Sequence, residues 1–174
     1  MKCSTNDEKF ASFAAQESYK STMFQRHGCI AVINGKIVAR GHNSHYKVPF
    51  DKQICTSCHA EQDVLKNIIK NIKNPYTTKI NIYIVRCKKD GGFTQSEPCL
   101  NCHNQMKKFN IKYIIYSTED GNLDKLLLSD FNTDFMSSGV KALMANRIKP
   151  LNISRDQLAS EDSHSLLKLS DNFR

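Results

Sequence analysis

Two short stretches restrict this chain more than anything else in it: Cys58-His59-Ala60-Glu61 and Pro98-Cys99-Leu100-Asn101-Cys102. They offer one imidazole, two thiolates and a carboxylate that is not needed as a ligand. That set suits a catalytic zinc site with three protein ligands and an open fourth position. A second reading uses the same residues differently. Cys55 and Cys58 form another C-x-x-C, and with Cys99 and Cys102 they would make a closed four-cysteine zinc ribbon.

H-x-E followed by P-C-x-x-C resembles the signature of the zinc-dependent cytidine/deoxycytidylate deaminases and their nucleic-acid-editing relatives. Glu61 and Pro98 have a place in that signature and none in a ribbon. The resemblance implies Zn2+ held by His59, Cys99 and Cys102, with Glu61 as the catalytic proton shuttle. It implies substrate contacts at Asn43, in the G-x-N of Gly41-His42-Asn43, where the amide would meet the substrate's sugar, and at Ala60. A turn-forming asparagine is the alternative for Asn43. Some nucleotide deaminases carry a second, structural metal, so Cys55 and Cys58, with His42 or His45, are candidate ligands for one; an idle thiol pair is the alternative.

The implied fold is α/β: a three-layer cytidine-deaminase-like arrangement of a mixed five-stranded sheet with helices on both faces. The implied reaction is hydrolytic removal of the amino group of a cytosine nucleoside or nucleotide, by zinc-activated hydroxide attack. Gly41-His42-Asn43, the cysteine before H-A-E and the strand Lys112 to Tyr116 are similar to the CMP/dCMP-type branch. Glu97-Pro98-Cys99 is similar to the E-P-C of tRNA adenosine deaminases and riboflavin-pathway deaminases. Three functions therefore stand side by side: a nucleotide deaminase, an editor of tRNA or single-stranded nucleic acid, and a non-catalytic zinc-stabilised binding protein. The resemblance also implies a homo-oligomer.

Composition narrows the field. At 174 residues the chain fits one domain, read as residues 1–150, with a polar C-terminal extension over 151–174. A net charge of +8, spread without long like-charge blocks, favours an anionic partner, nucleotide or nucleic acid. No apolar run reaches the ~18 residues of a membrane span and MKCSTNDEKF lacks a signal-peptide core, so the protein reads as soluble and intracellular, with no membrane partner. Seven cysteines then act as thiols and ligands rather than disulfides. The absence of Trp and an ordinary 9% of aromatic residues count slightly against an editor, which needs exposed rings for stacking.

Patterning supplies the elements. Phe10, Phe13, Ala14 and Ser18 predict a first helix over about Asp7 to Thr22, capped near Thr5 or Asn6. Cys29 to Ile33, Asn34-Gly35 and Lys36 to Arg40 predict a hairpin. Val64, Leu65, Ile68, Ile69 and Ile72 predict a core-facing helix beginning at His59. Residues two apart do not share a helical face, so His59 and Glu61 can converge on one metal only if His59 sits in an irregular first turn. Lys79 to Val85 reads as a third strand and Lys88 to Ser96 as a mobile loop. Pro98 suits the first position of a helix that turns Cys99, Cys102, Met106 and Phe109 to one side. Ile111 to Tyr116 is a fourth strand parallel to the third, Asn122 to Leu128 an antiparallel fifth, and Val140 to Arg147 a short helix ended by Pro150. A further short helix is expected around Ser165 to Leu169.

Overall fold

The structure, a computed structural model, describes residues 1–45 and 57–147. Its sheet starts from the predicted hairpin, β1 (Arg26–Ile33) and β2 (Lys36–His42). Asn34 and Gly35 take φ of 48° and 74°, the left-handed pair that a two-residue turn demands and that Asn-Gly adopts most cheaply. The other strands are β3 (Ile80–Cys87), β4 (Phe93–Thr94), β5 (Ile111–Ser117) and β6 (Leu123–Leu127). Their order is β2-β1-β3-β5-β6, with β3 and β5 parallel and the other neighbours antiparallel. β4 falls in the stretch expected as a loop. It pairs Thr94 with Arg86 and Phe93 with Cys87, extending β3 past the point where β5 stops.

Helices cover both faces, as the resemblance implies. α1 (Thr5–Ser18) lies on one side, where Ala11, Ala14 and Ala15 meet Ile30, Val32, Tyr83, Val85 and Ile115. α2 (Ala60–Asn71) and α3 (Leu100–Met106) lie on the other, where Val64, Leu65, Ile68 and Met106 meet Cys29, Ala31, Ile82, Ile84 and Ile114. Strand alternation sorts these two sets. Odd positions of β1 face α2 and α3, and even positions face α1. α4 (Ser138–Met144) buries none of its residues. It begins earlier than expected, taking in Ser138 and Gly139, and the expectations for Pro150 and for Ser165 to Leu169 fall outside the described residues.

Two glycines set how closely the helices approach. A Cβ on Gly28 would lie 1.9 Å from the carbonyl oxygen of Ala14 in α1, and one on Gly41 would lie 2.7 Å from the backbone nitrogen of Val64 in α2. Both sheet edges are also covered, which removes the open ladder that invites aggregation. Along β2, Asn67 and Asn71 donate to the carbonyls of Arg40 and Val38 (both 2.8 Å), and Asp63 accepts from the His42 amide (3.0 Å). Along β6, the N-terminal amine donates to the Lys125 carbonyl (2.9 Å) and the Cys3 thiol to that of Leu123 (3.4 Å).

The cap of α1 is Ser4, one residue ahead of the expected position, because Asp7 completes a capping box with it. Asp7 is buried and also accepts from the Tyr83 hydroxyl and the Lys125 ammonium, each at 2.9 Å. Burial would raise its pKa, but the hydrogen bonds from Ser4, Lys125 and Tyr83 outweigh it and hold the carboxyl at about 2, against an ordinary 3.8. A depressed folded pKa gives stability that is complete above the unfolded value and lost as pH falls through the folded one. Asp7→Asn should therefore cost about 2 kcal/mol at neutral pH and flatten the acid limb between about pH 4 and pH 2 in urea titrations; an unchanged limb would show that the carboxylate is unimportant. Gly28→Ala, by forcing α1 off the sheet, should cost about 3 kcal/mol in the same assay, and a neutral outcome would contradict the close approach.

Candidate metal centre and active site

Both motif stretches place a donor just before a helix. His59 is the N-cap of α2, extended at φ −77°, ψ 158°, and Cys99 is the N-cap of α3, extended at φ −74°, ψ 163°. This resolves the geometric condition on His59: it stands outside the helix, so its ring is free of the helical period that would have turned it from Glu61. Cys99 at the cap also displaces Pro98 to the residue before it, not the first helical position as expected. The Leu100 amide occupies that first position and donates to the carbonyl of Phe135 (2.8 Å), a bond that a proline there could not make. Cys102 follows one turn in, fully buried.

The donors converge. His59 Nδ1 lies 3.3 Å from Cys102 Sγ and 3.6 Å from Cys99 Sγ, and one ligand atom from each of the three residues falls within 4.8 Å of the others. Among the described residues this is the cluster of His, Cys, Asp or Glu that could hold a metal ion. Glu61 lies beside it, 6% exposed, with its carboxyl hydrogen-bonded to the Cys102 thiol. Gln62 fixes the turn by accepting from the His59 amide (2.9 Å).

The electrostatics of the group fit a dication. The hydrogen bond from Cys102 draws the Cys99 thiol down to about 4, burial opposes this, and His59 adds to the lowering. The bond to Cys99, burial and the negative charges of Glu61 and Cys99 push Cys102 well above its ordinary value. Burial works to keep the His59 ring neutral, but the Cys99 sulfur and the Glu61 charge outweigh it and raise its pKa. Burial first, and Cys99 second, raise that of Glu61 against the pull of His59. Two buried sulfurs thus compete for protons that a divalent ion would replace, with thiolates and an imidazole matching the preference of zinc.

Asn43 is buried, and its amide is engaged at both ends: Oδ1 accepts from the His27 amide (2.8 Å) and Nδ2 donates to the Gln25 carbonyl (2.6 Å). It ties the start of β1 to the end of β2 beside the donors. Ala60, fully buried, is the first residue of α2. Cys58 is buried too, pinned by a backbone bridge to Ser44, with its thiol 3.5 Å from the His59 carbonyl. Cys55, the other half of the candidate second metal site and of the ribbon, lies outside the described residues.

Two residues at the site carry no motif. His27 and Arg86 are cross-strand partners on β1 and β3, and the charges of Arg86 and His59 both reach the His27 ring. Burial chiefly, with those charges, lowers its pKa to about 4, so it is neutral at physiological pH. The signal was available in the alternation. His27 shares a face with Cys29 and Ala31 once β1 is started at Arg26 rather than at Cys29.

An α/β sheet carrying an imidazole and two sulfurs at adjacent helix starts, with a spare buried carboxyl, defines a zinc-binding hydrolase site of the deaminase kind. The chain belongs to the family described as the cytidine and deoxycytidylate deaminase zinc-binding region, whose model matches residues 4–118. Among solved structures it is similar to cytidine deaminase from Burkholderia pseudomallei, at 16% identity and a TM-score of 0.56, over 74% of this chain and 98% of that one. It is similar also to dCMP deaminase from the cyanophage S-TIM5, at 24% identity and a TM-score of 0.50, over 65% of this chain and 82% of that one. No curated protein matches. Among the described residues no helix is long and apolar enough to cross a membrane.

The metal assignment has a direct check. Protein purified with zinc should keep it through dialysis, whereas His59→Ala and Cys102→Ala should lose it, with affinity lowered by more than about a hundredfold, since even outer-shell partners are worth 10–100-fold. Full zinc content in Cys102→Ala, read by elemental analysis of the folded variant, would place the ion elsewhere.

Proposed function

We propose that this chain is a hydrolytic deaminase of a cytosine nucleotide of the CMP/dCMP type. The observation that carries the reading is Glu61: a buried carboxyl packed against the three donors and not among them. Burying a carboxylate costs stability, and groups so placed cluster at sites of chemistry. A binding protein stabilised by zinc would have no use for it.

His59, Cys99 and Cys102 would hold a zinc ion, which would supply Lewis acidity and bring the ionisation of water into the neutral range. The remaining work falls to the chain. Glu61, whose pKa burial raises above that of an ordinary carboxyl, is placed to take a proton from the attacking water and deliver it to the ring nitrogen of the base. It then takes the remaining proton of the water, from the hydroxyl now on C4, and carries it to the departing amine as the carbonyl forms. The balance is one water consumed, one C–O bond formed at C4, one C–N bond broken, and ammonia released with the uracil product.

Around that centre, Asn43 holds the start of β1 in place, so that the neutral His27 faces the site. Its uncharged ring can exchange hydrogen bonds with a neutral base without the cost of a buried charge. Arg86, its cross-strand partner, supplies a cation near the site, which favours a substrate with a 5′-phosphate over a bare nucleoside.

Glu61→Gln tests the reading: it should retain zinc yet lower kcat for CMP or dCMP by about 10²–10⁴-fold, the range of a lost general acid–base group. A zinc-loaded variant with full turnover would overturn it. Arg86→Ala should raise KM for CMP by about tenfold while leaving cytidine unaffected, a loss comparable to one charge-assisted contact.

A further inference from the structure

The structure carries a second feature beside the metal centre. Three aromatic rings stand largely exposed among the described residues, and two of them, Phe24 (83%) and Tyr19 (52%), belong to the same turn between α1 and β1. Each is faced by a cation: Lys89 Nζ lies 5.3 Å from the Phe24 centroid and Arg26 Cζ 5.4 Å from that of Tyr19. The β3–β4 hairpin closes over this turn. Its Lys88 amide donates to the Gly92 carbonyl (2.8 Å), and a Cβ added at Gly91, itself at φ 92°, would lie 3.7 Å from the Tyr19 hydroxyl.

Local charge is positive. Arg26, Lys88 and Lys89 stand against Asp90, whose Oδ1 accepts from the Gly92 amide (3.1 Å), while Glu17 is buried and paired with Lys20 and Arg40. A single exposed ring needs no explanation. Two rings interleaved with three cations are the composition of a surface that stacks bases and neutralises phosphates. The patch adjoins in sequence the segment that Asn43 holds, since Phe24 precedes Gln25, and Gln25 and His27 are the residues that Asn43 ties to the end of β2.

We infer that this surface binds single-stranded nucleic acid, with bases stacking on Phe24 and Tyr19 and phosphates meeting Arg26, Lys88 and Lys89. Two exposed rings in one turn offer stacking places for two bases, more than a mononucleotide carries. A duplex keeps its bases stacked on each other, so exposed rings select the single strand. Strand binding stands on the patch alone, whereas delivery of a strand cytosine to the metal centre rests on the deaminase reading above.

The test uses the zinc-loaded full chain and a fluorescein-labelled oligodeoxycytidine, with its duplex as control, read by anisotropy beside ammonia release from CMP. The single strand should bind more tightly than the duplex, and its affinity should fall about 20-fold between 50 and 200 mM salt if three phosphates are neutralised. Phe24→Ala and Tyr19→Ala should each weaken it by on the order of tenfold. Turnover of CMP should stay unchanged in both. Lys88→Ala combined with Lys89→Ala should reduce the salt dependence. Equal affinity for duplex and single strand, or aromatic variants that bind like wild type, would overturn the inference. Binding as expected with no ammonia from CMP would refute the assigned reaction and leave the surface standing; turnover of CMP without strand binding would do the reverse.

Discussion

The metal site depends on one backbone arrangement: two helices that begin side by side, each preceded by a donor held extended. His59 and Cys99 are both caps, and an extended cap directs its side chain away from the helix that follows. Had His59 been one residue further on, the helical period would have separated it from Glu61. The parallel pairing of β3 and β5 sets α3, the helix between them, on the same face as α2. Each donor also sits at the positive end of the peptide dipoles of the helix that follows, where a thiolate is favoured. Fold and chemistry meet at these caps.

Holding the caps in place takes the rest of the domain. Gly41 lets α2 lie against β2, and the side chains of Asp63, Asn67 and Asn71, spaced at one turn, bind the outer edge of that strand. On the far side, Gly28 admits α1, and Asp7 joins the start of that helix to β3 and β6. For α3 the guide is a buried pair of hydroxyls. Ser117 Oγ donates to the Thr94 carbonyl (2.6 Å) and Ser96 Oγ to that of Ile84 (2.8 Å), fixing the chain just before Pro98 and Cys99. The carbonyl of Phe135 then meets the first amide of α3.

Much of this was legible in the sequence where one local rule decides the structure. Asn-Gly fixed the hairpin turn, and the period of Val64, Leu65 and Ile68 gave the buried face of α2. The metal donors were readable because their chemistry is carried by residue type and spacing. What escaped depends on contacts between distant segments. β4 is two residues long and exists because β3 outruns β5. Pro98 lies two positions ahead of the first helical residue, Leu100, whose amide finds a partner 35 residues later, in Phe135. His27 and Arg86 lie in parts of β1 and β3 that reach further out than hydrophobicity alone marks.

The account stands on the identity of the ligands around one ion. X-ray absorption at the zinc edge, on protein loaded with a single equivalent, measures them without reference to activity. It should give two sulfurs at about 2.3 Å and a remaining shell of nitrogen and oxygen at about 2.0–2.1 Å. A shell of four sulfurs, or one with none, would contradict it.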